Sequence, residues 1–159
     1  MSLLSDLIFL FNKNSYLLIP KKLIDSLEQY RQEPSSATEK GGVLIGLYRT
    51  PHIEVTQFTT PKPEDKCKRN SFTRYSKSHI ETVMHTWQNS NSTETYLGEW
   101  HTHPEKDAYP SSFDLNEWRK KLPSGRTKVL IIIGQNNNWY GVWDEGIIKS
   151  LNPLTFPLS

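Results

Sequence analysis

The run Val129-Leu130-Ile131-Ile132-Ile133 is the feature that most restricts the fold of this 159-residue chain. All five residues are apolar and four are β-branched, so the run predicts a central β-strand that is buried on both faces. Such a strand needs other strands beside it and further layers over its faces. We therefore expect one mixed α/β domain over residues 1–159, with a mostly antiparallel central sheet flanked by about three helices.

Apolar patterns elsewhere in the chain predict the other elements. Further strands are expected over residues 6–11, 16–19, 43–48, 53–58, 94–103, 139–143 and 146–150. Residues 60–71 are expected to form a polar loop. Three helices are predicted, each with one apolar face: after Pro20, with Leu23, Ile24, Leu27 and Tyr30 inward; from Ser76 to Gln88, with Ile80, Val83, Met84 and Trp87 inward; and from Phe113 to Leu122, with Leu115, Trp118 and Leu122 inward.

Composition argues against several classes of function. A formal net charge of +2 gives no case for nucleic-acid binding. The single cysteine, Cys67, excludes a disulfide framework within the chain and a cysteine-rich zinc finger. The apolar N-terminal stretch is shorter than the ~20 residues of a transmembrane helix and lacks the basic start of a signal peptide. We therefore expect a cytoplasmic protein with no nucleic-acid or membrane partner.

Two histidines, His101 and His103, lie at the end of a predicted strand. Alternate residues of a strand point to the same face, so both imidazoles can share one metal ion. Asp114 follows after a loop, at the start of a predicted helix, and can bring a carboxylate to the same ion. Two imidazoles, one carboxylate and an open fourth position are typical of a catalytic zinc site, although imidazole also suits iron, nickel and copper.

A hydrolytic zinc site also needs a base, and the residues leave two candidates. Glu99 lies on the same strand face as His101. Glu39 lies at the entrance of another predicted strand, beside Gly41 and Gly42, which permit close approach of the backbone. The sequence spacing does not choose between the two carboxylates.

The set Glu39…His101-Thr102-His103-Pro104…Ser111-Ser112-Phe113-Asp114 resembles the JAMM motif of the JAB/MPN metalloproteases. The upstream pattern Glu39-x-Gly-Gly-x-x-x-Gly46 is similar to the same family, and the order of elements from residue 20 to about residue 145 also matches. The resemblance implies a cytidine-deaminase-like α+β fold. It also implies that His101, His103 and Asp114 bind Zn²⁺, that Glu39 is the general base, and that Ser111 helps to stabilise the oxyanion.

The stretch Tyr96–Pro104, in a chain this short, is similar to the bacterial JAB peptidases of CBASS antiphage operons. That resemblance implies an isopeptidase that cuts at the C-terminus of a conjugated protein. The implied substrate is a cGAS-like nucleotidyltransferase, joined to its targets through an extended tail with the help of an E1–E2-like conjugating protein. Two alternatives remain open: a JAMM peptidase for another ubiquitin-like or sulfur-carrier precursor, and a non-catalytic MPN binding module.

Several of these residues also have purely structural interpretations. Ser111 and Asp114 have the spacing of a helix capping box, in which they would hold the start of a helix. Glu39 lies in a polar stretch and could be a solvated surface residue. The remaining histidines have no partner at metal-ligand spacing and are predicted to be structural or surface residues: His52, His79 and His85.

Overall fold

The computed structural model describes residues 5–32, 38–61, 66–68, 71–73 and 77–155. Within them, no helix has both the length and the apolar character that crossing a membrane requires. The elements in chain order are β1 (Leu7–Asn12), β2 (Ser15–Ile19), α1 (Lys21–Glu28), β3 (Gly41–Arg49), β4 (His52–Phe58), β5 (Lys66–Lys68), β6 (Ser71–Thr73), α2 (Lys77–Asn89), β7 (Glu94–Thr102), α3 (Ser112–Lys121), β8 (Lys128–Ile133), β9 (Trp139–Asp144) and β10 (Ile147–Leu151).

Eight of the strands form one sheet in the order β1-β2-β4-β3-β7-β8-β9-β10. Only the pairs β2–β4 and β7–β8 are parallel, so the predicted mostly antiparallel sheet with about three helices is confirmed. The two ends of the sheet approach each other. The backbone N–H of Leu154 donates to the carbonyl of Ile8 over 2.7 Å, and the rings of Phe9 and Tyr140 lie 5.0 Å apart.

Strand β8 is buried along its whole length, as the apolar run predicts. Its odd-numbered residues Val129, Ile131 and Ile133 pack into a cluster with the buried face of α1. Its even-numbered residues Leu130 and Ile132 pack on the opposite side, against α3 and β9. Helices therefore cover both faces of the central strand, and the predicted inner residues Leu23, Ile24, Leu27, Trp118 and Leu122 are buried.

The predicted inner face of α2 is wrong for three of its four residues, while the fourth, Val83, is half-buried. Ile80, Met84 and Trp87 are 55%, 58% and 45% exposed, whereas His79 is fully buried. The ring of His79 hydrogen-bonds through Nδ1 to the hydroxyl of Thr59. Apolar periodicity identifies one face of a helix but does not show that this face contacts the sheet. In α2 the side that carries His79 is buried instead, and it makes a buried hydrogen bond. The predicted N-cap, Ser76, lies outside the described residues.

The prediction of a loop over residues 60–71 is also wrong in part. Strands β5 and β6 pair antiparallel as a separate two-stranded sheet, with Cys67 opposite Phe72. Strands of three residues are too short to produce an alternating apolar pattern, which explains why the sequence does not reveal them.

Candidate metal centre

The pairing of β3 with β7 brings Glu39 to the histidines. Gly41 lies opposite His101 in the ladder. Just beyond it, the N–H of Lys40 donates to the hydroxyl of Thr102 over 3.0 Å, and the N–H of Thr102 donates to the carbonyl of Lys40 over 2.9 Å. Antiparallel pairing in this register carries Glu39, which is only 2% exposed, to the strand end that bears the histidines.

Gly42, near the start of β3, lies at a position that has no room for a side chain. A Cβ atom placed there would lie 2.3 Å from the carbonyl oxygen of Thr59 and 2.6 Å from its hydroxyl. Thr59 itself is held by bonds to neighbouring elements, since its hydroxyl accepts from the N–H of Val43 and its carbonyl accepts from the indole of Trp100. Gly42 therefore lies where the backbone just after β4 packs closely against β3.

Asp114 reaches the histidines from the first turn of α3. The N–H of Ser111 donates to Asp114 Oδ2 over 2.8 Å, and the N–H of Asp114 donates to Ser111 Oγ over 3.1 Å. The predicted capping box is therefore present. It does not compete with a role in metal binding, because it orients the same carboxylate towards the two imidazoles.

The three side chains place their donor atoms at the spacing that one metal ion requires. The Nε2 atoms of His101 and His103 lie 3.1 Å apart. Asp114 Oδ1 lies 3.2 Å from His101 Nε2, and Asp114 Oδ2 lies 3.0 Å from His103 Nε2. Tetrahedral zinc with bonds of about 2.0–2.1 Å keeps its ligand atoms roughly 3.3 Å apart. The donor set and its spacing therefore fit a single zinc ion.

Charge interactions within the group favour this arrangement. Burial alone would raise the pKa of Asp114, but the charge of His101 and hydrogen bonds from His101, His103 and Ser111 hold it well below its usual range. Burial alone would lower the pKa of His101, yet Asp114 and, more weakly, Glu39 and Glu99 raise it overall. Asp114 is thus held as a carboxylate beside two imidazoles, ready to bind a cation.

Glu39 has the pKa of a group that can carry a proton near neutral pH. Burial, supplemented by the negative charges of Asp114 and Glu105 and opposed by His101, raises the pKa of Glu39 to about 8. A cation bound among the neighbouring ligands would lower it again, since an opposite charge favours the ionised form. A pKa that is raised without the cation and lowered beside it suits a carboxylate that accepts a proton and then returns it.

The structure distinguishes the two carboxylates between which the sequence spacing did not choose. A ligand atom of Glu39 lies within 4.8 Å of ligand atoms of both His101 and His103. Within the described residues, Glu99 is not part of this group, although its charge influences the pKa of His101. The fold therefore brings a ligand atom of Glu39 close to both imidazoles. Ser111 is half-buried beside the group, and its bond from Asp114 leaves the hydroxyl proton free to be donated.

Two polar residues near the candidate metal centre, Thr102 and Gln32, were not predicted from the sequence. The hydroxyl of Thr102, which also accepts from Lys40, donates to Gln32 Oε1 over 3.2 Å. Gln32 is 1% exposed, and its carbonyl accepts from the side chain of Gln135. These bonds join the segment after α1 to the segment that carries Glu39. The one available signal was the position of Thr102 between the two histidines.

Comparisons with known proteins assign the chain to a family. The family model described as prokaryotic homologs of the JAB domain matches residues 21–144. The CD-NTase/cGAS isopeptidase of Escherichia coli strain TW11681 is 32% identical over 148 residues, covering 93% of this chain and 95% of that protein. The protein of the same name from Vibrio cholerae is 32% identical over 143 residues, covering 90% of this chain and 92% of the relative.

A solved structure supports the fold independently. The protein DSY2949 of Desulfitobacterium hafniense superposes with a TM-score of 0.62 at 19% identity, over 83% of this chain and 87% of that one. The fold, the site and these relatives together define a hydrolase of the peptidase class. The chain belongs to the family of prokaryotic JAB-domain proteins.

Proposed function

We propose that this protein is a zinc-dependent isopeptidase that releases a cGAS-like nucleotidyltransferase from the proteins to which its C-terminus has been joined. The observation that carries the proposal is the triangle of donor atoms on His101, His103 and Asp114, with the buried Glu39 beside it. Relatives with the name CD-NTase/cGAS isopeptidase, which this chain matches over most of its length, support the substrate class.

In this proposal, His101, His103 and Asp114 hold zinc, which would lower the pKa of water and polarise the scissile carbonyl. Glu39 accepts the proton of the attacking water and returns it to the leaving amine. Ser111 donates a hydrogen bond to the oxygen on which negative charge develops. The amide bond between the tail and its target breaks, releasing a carboxylate and an amine. The tail itself would bind in an extended conformation.

The biological setting is part of the same proposal. The enzyme would act in the cytoplasm as one domain over residues 1–159, in a CBASS operon that also encodes an E1–E2-like conjugating protein. Its role would be to reverse conjugation and so return the nucleotidyltransferase to the free pool. Measuring conjugates in cells with and without the peptidase would test this setting.

The direct test uses fusions in which the C-terminal tail of the operon's nucleotidyltransferase is joined to a reporter protein by an amide bond. We expect cleavage immediately after the native tail, with release of the intact nucleotidyltransferase detected by mass spectrometry. Two fusions serve as matched controls for specificity. In one, the last residue of the tail is replaced by a bulky residue; in the other, ubiquitin replaces the nucleotidyltransferase and its tail. Absence of cleavage by zinc-loaded enzyme would contradict the proposed substrate, and preferential cleavage of the ubiquitin fusion would assign the enzyme to another conjugate.

Thr102→Val is expected to lower kcat about 10-fold, because it removes the hydroxyl that holds the N–H of Lys40 and thereby positions Glu39. Zinc content should stay near that of the wild type, since both histidines remain. Thr102→Ser should restore most of the rate. The control Thr56→Val removes a strand hydroxyl that donates to the carbonyl of Ile45 and should leave kcat unchanged. Failure of the serine variant to recover activity would show that Thr102 acts through packing and not through its hydroxyl.

A further inference from the structure

A second cleft, of about 720 Å³, lies at the end of the sheet opposite to the metal centre. We call it the distal cleft; its walls include Tyr48 and Arg49 at the end of β3, Trp87 near the end of α2, Thr95 on β7 and Arg126 before β8. Strand β7 runs from Thr95 in this cleft to His101 at the metal centre, a span of roughly 20 Å at about 3.3 Å per residue. The distal cleft is therefore separate from the candidate active site.

The charged groups that line the distal cleft are cations. Arg49 is neutralised by Glu54, with Nε and Oε1 3.0 Å apart. Arg126 lies with its guanidinium carbon 4.6 Å from the centre of the Tyr48 ring, and in the part of the chain that the structure describes it forms no ion pair. Its charge is thus uncompensated, at a place where an anion could approach from solvent.

A second cation lies close to Arg126. The ammonium of Lys128 is 6.0 Å from the centre of the same Tyr48 ring and donates to the carbonyl of Arg126. Lys128 is 5% exposed, and burial together with the charge of Arg126 lowers its pKa. Two like charges held together near a buried position repel each other, and a bound anion would relieve that repulsion.

The aromatic groups of the distal cleft are well defined. The hydroxyl of Tyr48 donates to the carbonyl of Thr127 over 2.7 Å, which holds the ring beneath Arg126. Burial raises the pKa of Tyr48 to about 12, so the phenol stays neutral. Trp87 is 45% exposed and offers its indole as an open wall of the cleft. A guanidinium and an exposed indole that line the same cleft are a combination that can bind phosphate together with a planar ring.

We propose that the distal cleft binds a small phosphate-bearing ligand with a planar ring, in the manner of a mononucleotide. The phosphate would contact the guanidinium of Arg126, which has a donor geometry suited to phosphate oxygens. The ring would stack on Trp87, and the hydroxyls of Ser92 and Thr95 would be available to polar groups of the ligand. The cleft volume lies within the range of about 300–1,000 Å³ that is typical of small-molecule sites. This proposal does not depend on the function of the metal centre.

The test is calorimetric titration of the full-length, metal-loaded protein with AMP, and separately with inorganic phosphate and with adenosine. We expect AMP to bind more tightly than either of its parts. Arg126→Gln should weaken binding of AMP and phosphate at least about 10-fold, the cost of losing a charge-assisted pair. Trp87→Ala should weaken AMP about 10-fold and leave phosphate unchanged, because only the stacking contact is lost.

Two controls locate the ligand. Arg119→Gln removes another exposed guanidinium, on α3 and not among the residues that line the distal cleft, and should bind AMP like the wild type. His103→Ala should also retain AMP binding if the phosphate is bound in the distal cleft and not at the metal centre. In a ¹H–¹⁵N spectrum, the indole signal of Trp87, assigned with Trp87→Phe, should shift most among those of the five tryptophans. Absence of binding by all three probes up to about 5 mM, wild-type affinity in Arg126→Gln, or loss of binding in His103→Ala would each overturn the proposal.

Discussion

Glu39→Gln is expected to lower kcat for tail cleavage by at least about 100-fold, the usual effect of removing a general base. The amide has nearly the shape of the carboxyl group but cannot accept the proton of the attacking water. Because the proposed ligands are His101, His103 and Asp114, the variant should still bind about one zinc ion per chain. Steady-state kinetics on the reporter fusion, together with metal analysis by mass spectrometry, measure the two quantities on the same sample.

The matched control for Glu39 is Glu99→Gln, which removes the same charge from the strand that bears the histidines. We expect its kcat to remain within a few-fold of the wild type, since Glu99 lies outside the group formed by Glu39, His101 and His103. A large loss in Glu99→Gln with little change in Glu39→Gln would move the base to β7. Loss of zinc from Glu39→Gln would instead make Glu39 a ligand, a role that its distance from the histidines also permits.

His103→Ala is expected to remove the bound metal and, with it, all measurable cleavage. His103 is 3% exposed and its Nε2 lies within 3.1 Å of two other proposed donor atoms, so its removal takes away one of the three proposed ligands. An ion that binds only the folded state at 1,000 times its Kd stabilises a protein by about 4 kcal/mol. We therefore expect a chelator to lower the Tm of the wild type by about 10 °C and to leave that of His103→Ala unchanged.

The matched control for His103 is His85→Ala, which removes an exposed histidine whose ring hydrogen-bonds to Asn89 on the same helix. This variant should keep its zinc, its activity and the response of its Tm to the chelator. An ion retained by His103→Ala, or a Tm of the wild type that does not respond to metal removal, would contradict the assignment of the centre.

Much of the fold follows from patterns that involve only neighbouring residues. The continuous apolar run of β8 predicted a strand buried on both faces, and the structure shows one helix on each side of it. The spacing of Leu23, Ile24 and Leu27 predicted the buried face of α1 in the same way. These predictions succeed because burial of an apolar face stabilises the element that carries it, whatever its partner.

Other features depend on contacts that no local pattern encodes. Three of the four apolar residues that were predicted to face inward on α2 are exposed, whereas His79 on the same helix is buried and bonds to Thr59. The paired strands β5 and β6 are too short to show a period. The bonds that join Gln32, Thr102 and Lys40 link residues that are distant in sequence, and single polar residues carry no signal of their partners.

By itself, the sequence determined the ligand types and their local geometry. Alternation along β7 turns His101 and His103 to one face, and the capping box at the start of α3 orients Asp114 through two bonds within a single turn. Only the tertiary structure decided which carboxylate joins them. Lys40 and Thr102 are 62 residues apart, and it is the antiparallel register of β3 on β7 that carries Glu39 to the candidate metal centre. Register is a property of two strands at once, so neither strand's sequence could reveal it alone.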